Sequence, residues 1–250
     1  MKRIHLVNSK GLKIVGNYYT VQSNEIVILA HGFTNDKSSN GRFDLLSEKL
    51  NNAGYDALAI DFTGSGESAP GPLTIENQLD DLKYAINFVS SKEYLKIALF
   101  GNSFGSLSCL KSYDHRIDTM ILSGALTDRM FYQWDDYFSP DEMNDLETKG
   151  YFYTNEKESH LITQQTLKDF ESIHQETLLS KVKCPVLIIH GNNQQDEEEL
   201  MLLERSKKGM QFLSESSTLE IIEEGRHGLR SKWNEVIDLT VKWLDLHLSK

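Results

Sequence analysis

The sequence predicts a doubly wound, mostly parallel α/β sheet, and two observations lead to this fold class. Short, continuous apolar runs such as residues 26–30 have the length of strands that are buried on both faces of a parallel sheet. Helical patterns with one apolar face alternate with these runs along the chain. A length of 250 residues suits one domain of this kind, with a core that needs no disulfide.

The elements follow one another in strand–helix order. An opening hairpin is predicted over residues 3–22, because apolar and polar residues alternate around a break at residues 8–11. Later strands are apolar runs, and later helices have apolar residues every three or four positions. The predicted elements are strands at 25–30, 55–62, 97–100, 118–123, 186–191 and 218–222, and helices at 43–52, 75–89, 106–110, 197–208 and 233–248.

Residues 127–180 interrupt this alternation. The segment shows no clear strand and mixes nine aromatic residues with 12 acidic and 4 basic ones. A structureless loop of this length is unusual in a compact domain, so we expect a helical, aromatic lid inserted over one end of the sheet. The predicted organisation is therefore a single domain, 1–250, with 127–180 as the lid insertion.

The stretch that carries the most information is Gly101-Asn102-Ser103-Phe104-Gly105, a G-x-S-x-G pentapeptide between a strand and a helix. This order is that of a nucleophile elbow, a turn so sharp that a Cβ two positions before or after the nucleophile would collide. Ser103 is therefore the predicted nucleophile. A serine hydroxyl needs a base to remove its proton, and histidine is the usual base. His227 follows the last strand between two glycines, and we predict that it is this base.

These motifs resemble those of the α/β-hydrolase family, most closely its small single-domain serine esterases of the cinnamoyl and feruloyl type. The resemblance is carried by the segments 31–34, 61–68, 101–105, 185–191 and 225–228, and it spans nearly all of the chain except 127–180. It implies that the backbone N–H groups of Phe33 and Phe104 form an oxyanion hole, which stabilises the charge that develops on a carbonyl oxygen.

The sequence departs from the family at the acid of the triad. The family places this carboxylate three residues after the glycine of the His190-Gly191 pair, where this chain has Gln194. Asp196, two residues later, is our candidate acid, although it also fits a helix N-cap. Asp128 is a second candidate, and a site without an acid is a third possibility.

The predicted function is hydrolysis of small carboxylic esters through an acyl-enzyme intermediate. We expect a neutral substrate with an apolar or aromatic group, because the acidic insertion would repel anions. A thioesterase or small peptidase, and a catalytically weakened binding protein of this fold, remain alternatives.

Composition sets the expected partners and location. A net charge of −11 speaks against nucleic acid or an anionic membrane surface as a partner. No cofactor or metal is expected, since no His/Cys group has zinc-ligand spacing. The sequence shows neither a signal peptide nor a disulfide framework, so a cytoplasmic location is expected. The oligomeric state is not predicted.

Overall fold

The structure, a computed structural model, describes residues 1–154 and 159–248. Its strands are β1 (Lys2–Val7), β2 (Lys13–Tyr19), β3 (Glu25–Ala30), β4 (Asp56–Ile60), β5 (Lys96–Asn102), β6 (Thr119–Ser123), β7 (Tyr151–Tyr153), β8 (Leu161–Thr163), β9 (Val186–Gly191) and β10 (Thr218–Ile222). Its α-helices are α1 (Arg42–Asn52), α2 (Ile75–Ser90), α3 (Phe104–Lys111), α4 (Pro140–Lys149), α5 (Gln164–Glu171), α6 (Gln175–Leu179), α7 (Glu197–Gly209) and α8 (Trp233–His247).

Eight strands form one sheet in the order β1-β2-β4-β3-β5-β6-β9-β10. The opening hairpin β1–β2 is antiparallel, and β2 pairs with β4 in antiparallel orientation. The other pairs of this sheet, which join β4, β3, β5, β6, β9 and β10 in that order, are parallel. The fold class predicted from the sequence is thereby confirmed. Because these six strands are parallel, their carboxyl ends meet at one edge of the sheet, where ligands bind in such folds.

The core lies on both faces of the sheet. Strands β4 and β6 are buried along their whole length, as expected for parallel strands that are covered by helices on both sides. One apolar cluster packs between the sheet and helices α2 and α3, and a second packs between the sheet and helices α1 and α8. This double cover fixes the strand ends that carry the candidate site.

The segment 127–180 leaves the sheet after β6 and returns at β9. It contains α4, α5 and α6, in agreement with the expected helical character of this segment. It also contains a small hairpin of β7 and β8, which the sequence did not indicate. Strands of three residues are too short to display an alternating pattern. Residues 155–158, which belong to the predicted lid, lie outside the described residues. No helix in the described part of the chain combines the length and apolarity needed to cross a bilayer.

Candidate active site

The turn between β5 and α3 has the geometry of a nucleophile elbow. Ser103 adopts φ 51° and ψ −120°, a conformation that L-residues rarely occupy. A Cβ on Gly101 would lie 2.6 Å from the Cα of Ser106, and one on Gly105 would lie 2.2 Å from the backbone oxygen of Ala30. The two glycines therefore permit this turn, as the pentapeptide predicted.

Ser103 and His227, predicted from separate parts of the sequence, are brought into contact. The Ser103 Oγ lies 3.0 Å from the His227 Nε2, which is hydrogen-bonding distance. His227 reaches this position from the loop between β10 and α8. Its side chain is 21% exposed, so the imidazole is largely shielded but open to the cavity described below.

The carboxylate next to His227 is Glu199. Its Oε2 lies 2.7 Å from the His227 Nδ1, and its side chain has no solvent exposure. A deprotonated carboxylate is only an acceptor, so Nδ1 carries the imidazole proton and Nε2 is free to accept one from Ser103. The three side chains form one continuous hydrogen-bonded chain.

This arrangement corrects the prediction of the acid. Asp196 does not contact the imidazole: its Oδ2 accepts from the backbone N–H of His227 at 2.8 Å, and its Oδ1 accepts from the backbone N–H of Glu199 at 3.0 Å. Asp196 is thus the N-cap of α7, the role that its spacing also fitted. The carboxylate that contacts the His227 ring belongs to Glu199, which lies three residues after Asp196 in the first turn of α7. Its side chain is one methylene longer than that of an aspartate.

The other two residues considered for this position lie elsewhere. The Asp128 Oδ1 accepts from the neighbouring backbone N–H of Arg129, and within the described residues it makes no ion pair with His227. Gln194, at the family's usual position, donates to the carbonyl oxygen of Asn192. Neither residue supplies the carboxylate.

A second histidine holds Glu199 from the other side. His190, fully buried at the end of β9, has its Nδ1 2.8 Å from the Glu199 Oε1, and the N–H of Gly191 donates to the same oxygen at 2.8 Å. The His190 Nε2 lies 2.8 Å from the Ser206 Oγ on α7. Glu199 therefore accepts hydrogen bonds on both oxygens, which fixes its orientation.

These contacts set the charges of the site. Burial alone would raise the pKa of Glu199, but the hydrogen bonds from His190 and His227 outweigh it and lower the pKa to about 2. Burial alone would lower the pKa of His227, but its hydrogen bond to Glu199 and the charges of Glu199, Glu198 and Asp196 raise it above the ordinary value. Near neutral pH Glu199 is therefore ionised, and the imidazole of His227 holds a proton more strongly than a free histidine.

Two backbone N–H groups adjoin the serine. Phe104 N–H opens α3 directly after Ser103, and Phe33 N–H follows β3, the strand paired with β5. Within residues 1–154 and 159–248, neither N–H has a hydrogen-bond acceptor in the protein. They are the two groups that the family resemblance assigns to an oxyanion hole.

A cavity of about 340 Å³ opens over Ser103 and His227. Residues of the 127–180 segment form one wall with aromatic side chains: Tyr132, Trp134, Tyr137 and Phe170. Their rings pack on one another, with centroids 5.3 Å apart for Tyr132–Phe170 and for Trp134–Phe170. Glu198, Arg42 and Arg230 are the charged residues of its lining besides His227. The described residues contain no grouping of three or more potential metal ligands.

Comparison with known proteins agrees with the fold described above. The sequence matches the family model described as serine aminopeptidase, S33, over residues 21–140, and no curated protein matches it. Among solved structures, Est1E from Butyrivibrio proteoclasticus, bound to ferulic acid, has a TM-score of 0.79 at 18% identity, with 99% of this chain and 100% of that chain covered. The esterase EaEST from Exiguobacterium antarcticum has a TM-score of 0.75 at 18% identity, with coverage of 98% and 100%.

A dienelactone hydrolase from Anabaena variabilis is similar as well, with a TM-score of 0.66 at 18% identity and 98% of both chains covered. These similarities extend over the whole chain, including the 127–180 segment that the S33 match leaves mostly uncovered. The chain has the α/β-hydrolase fold, and its predicted resemblance to α/β hydrolases is confirmed.

Proposed function

We propose that the protein is a serine hydrolase that cleaves small carboxylic esters through an acyl-enzyme intermediate. The observation that carries this proposal is the hydrogen-bonded chain Ser103–His227–Glu199 at the floor of a cavity. A serine, a base within hydrogen-bonding reach and a third group that orients the base are the elements of an activated nucleophile.

In the acylation step, the Ser103 Oγ attacks the carbonyl carbon of the ester as His227 Nε2 takes its proton. The ionised Glu199 stabilises the imidazolium that forms and keeps the proton on Nδ1. The negative charge that develops on the carbonyl oxygen is directed at the N–H groups of Phe33 and Phe104. The tetrahedral intermediate then collapses: its bond to the alcohol oxygen breaks, and His227 gives its proton to the departing alkoxide.

In the deacylation step, His227 takes a proton from a water molecule, whose oxygen attacks the acyl-enzyme. The bond between the acyl carbon and Ser103 Oγ breaks, and the proton returns to Ser103. The carboxylic acid leaves the cavity, and the serine is ready for the next ester. No cofactor takes part in this sequence of steps.

The cavity favours an apolar or aromatic group on the substrate. Tyr132, Trp134, Tyr137 and Phe170 offer ring faces and edges on one wall, and apolar groups gain most when they are buried against such surfaces. The ferulic acid bound to Est1E is an aromatic acid, which is consistent with this substrate class. A volume of about 340 Å³ lies at the lower end of the range for pockets that bind small molecules.

Two further hypotheses come from the sequence. A thioesterase or a small peptidase would use the same residues, and the family model matched over residues 21–140 is described as a serine aminopeptidase. The hypothesis of a catalytically weakened binding protein was based on position 194, where the family has a carboxylate and this chain has Gln194. The contact between Glu199 and His227 weighs against that reading.

The test is a panel of p-nitrophenyl esters, acyl thioesters and aminoacyl p-nitroanilides, assayed with wild-type protein and with Ser103→Ala. We expect hydrolysis of short p-nitrophenyl esters by the wild type and its loss in the variant, with an unchanged circular dichroism spectrum. Faster turnover of thioesters or anilides than of esters would change the substrate class. Equal ester hydrolysis by the variant would refute Ser103 as the nucleophile.

A further inference from the structure

Two arginines line the cavity that contains Ser103. Arg42 begins α1 and is half-buried, whereas Arg230 is exposed in the short 3-10 turn before α8. The Arg42 guanidinium donates from Nη1 to the carbonyl oxygen of Gly228 at 2.6 Å, and it lies 5.0 Å from the ring centroid of Trp233. Its Nε and Nη2 donate to the carbonyl and hydroxyl oxygens of Ser39. The Arg42 cation is therefore held in one orientation.

Within the described residues, no carboxylate forms an ion pair with Arg42 or Arg230. Burial, and then the charge of Arg230, lower the pKa of Arg42 to about 10. A partly buried cation without a counter-ion is costly, and it is unexpected in a chain with 37 acidic and 26 basic residues.

The one carboxylate in the cavity lining, Glu198, is already satisfied by neighbouring hydroxyl groups. Its Oε1 accepts from Tyr132 Oη at 2.8 Å, and its Oε2 accepts from Tyr137 Oη at 3.4 Å. Arg42, by contrast, uses three of its five N–H donors in the bonds given above. The lining therefore carries two arginines against one carboxylate, and its net charge is positive.

The described acidic residues of the 127–180 segment do not line this cavity. Among the described residues, the segment contributes only aromatic side chains to the lining of this cavity. One of its aspartates, Asp135, instead lines a separate cavity beside α4. The expectation of a neutral substrate rested on the charge of the whole segment, whereas the residues that face the substrate lead to the opposite conclusion.

We propose that Arg42 and Arg230 form a subsite for a free carboxylate on the ester substrate. The inference rests on the proposed ester hydrolysis and adds a substrate class to it: esters that combine an apolar or aromatic group with a carboxylate. A planar guanidinium binds a carboxylate through charge-assisted hydrogen bonds. The carboxylate belongs either to the acyl chain, in a monoester of a dicarboxylic acid, or to the alcohol, in an ester of a hydroxy acid.

Two matched pairs of esters distinguish these sources. Monophenyl adipate is compared with phenyl hexanoate for a carboxylate on the acyl chain, and meta-carboxyphenyl butanoate is compared with phenyl butanoate for one on the alcohol. We expect the charged member of one pair to have a kcat/KM about tenfold higher at low salt, mainly through a lower KM, because its carboxylate gains charge-assisted hydrogen bonds to the guanidinium groups. Salt should reduce this preference.

Two variants assign the effect. Arg230→Gln removes an exposed charge from the subsite and should abolish most of the preference for the charged ester. Lys232→Gln is the control, because it removes a positive charge only two residues away. Lys232 pairs with Glu235 and does not line the cavity, so this variant should retain the preference.

Equal or lower kcat/KM for both charged esters in the wild type would overturn the subsite while ester hydrolysis stands. A preference that survives in Arg230→Gln and Arg42→Gln would overturn it as well. Failure to cleave any of the four esters would refute the proposed function itself.

Discussion

Replacing Glu199 by glutamine tests the acid of the proposed triad. The substitution keeps the size of the side chain and removes its charge. Glu199 accepts from three N–H groups: Nδ1–H of His190 and N–H of Gly191 at Oε1, and Nδ1–H of His227 at Oε2. The single oxygen of a glutamine satisfies the two donors on the His190 side best, which turns its NH₂ group toward His227.

The magnitude follows from the tautomer of His227. Facing an NH₂ donor, the His227 Nδ1 must become an acceptor, and the ring proton moves to Nε2, where it points at Ser103 and prevents base catalysis. The loss of an orienting carboxylate in such a triad costs up to ~10⁴ in kcat. This corresponds to about 5 kcal/mol of transition-state stabilisation. We expect a loss of this order in Glu199→Gln, measured as kcat on a short p-nitrophenyl ester.

Asp196→Asn is the matched control. Asparagine caps helices as well as aspartate does, but its single oxygen serves only one of the two N–H groups that Asp196 now binds. We expect about a tenfold loss of kcat or less, and none for Asp128→Asn. Near-wild-type activity of Glu199→Gln together with a collapse in Asp196→Asn would refute this reasoning and return the acid to Asp196.

Three further predictions concern the surroundings of the triad. Gly105→Ala should prevent the elbow from forming, since its Cβ would meet the backbone oxygens of Ala30 and His31 at 2.2 and 2.5 Å; a thermal unfolding midpoint and activity equal to wild type would contradict this. His190→Ala should lower the free energy of unfolding by about 2–4 kcal/mol, because it leaves a cavity and removes a charge-assisted hydrogen bond to Glu199. Urea titration measures this free energy, and a value equal to that of the wild type would contradict the prediction. The kcat/KM of the wild type should fall with decreasing pH through a His227 pKa above about 6.5, because only the neutral imidazole acts as the base. Glu198→Gln should move this limb to lower pH, and an unmoved limb would argue against the charge effect.

The elbow was predictable because it is a local feature. A strand, two fixed glycines and a serine stand within one short stretch, and the physical reason for each glycine applies to that stretch alone. His227 was also predictable, since its place after the last strand brings it to the edge of the sheet where the elbow lies. Both depend on the order of elements along a parallel sheet, which the apolar runs reveal.

The acid was not predictable in this way. Asp196, Glu197, Glu198 and Glu199 are four consecutive carboxylates at the start of one helix. Which of them meets His227 depends on the rotation of α7 about its axis, which long-range packing decides. The available signal was the N-cap spacing: once Asp196 is assigned as the cap of α7, its carboxylate is engaged by backbone N–H groups, and the acid must be sought further along the helix.

The charge of the cavity lining could not be predicted from the sequence either, because it too depends on long-range packing. Residues 127–180 carry a formal charge of −8, but a sum over a segment does not tell which side chains face the cavity. Four of the nine aromatic residues of this segment line the cavity. Arg42 and Arg230 come from distant parts of the chain, and only the packing of α1 beside the loop that carries His227 brings them together.

The most direct test of the central claim is labelling with a fluorophosphonate probe, followed by mass spectrometry of the digested protein. If Ser103 is activated by His227 and Glu199, the probe should modify the peptide that contains Ser103, with complete reaction in the wild type. Labelling should be lost in Ser103→Ala and slowed by orders of magnitude in His227→Ala and Glu199→Gln. An adduct on another serine, or equal labelling rates in the wild type and His227→Ala, would contradict the account.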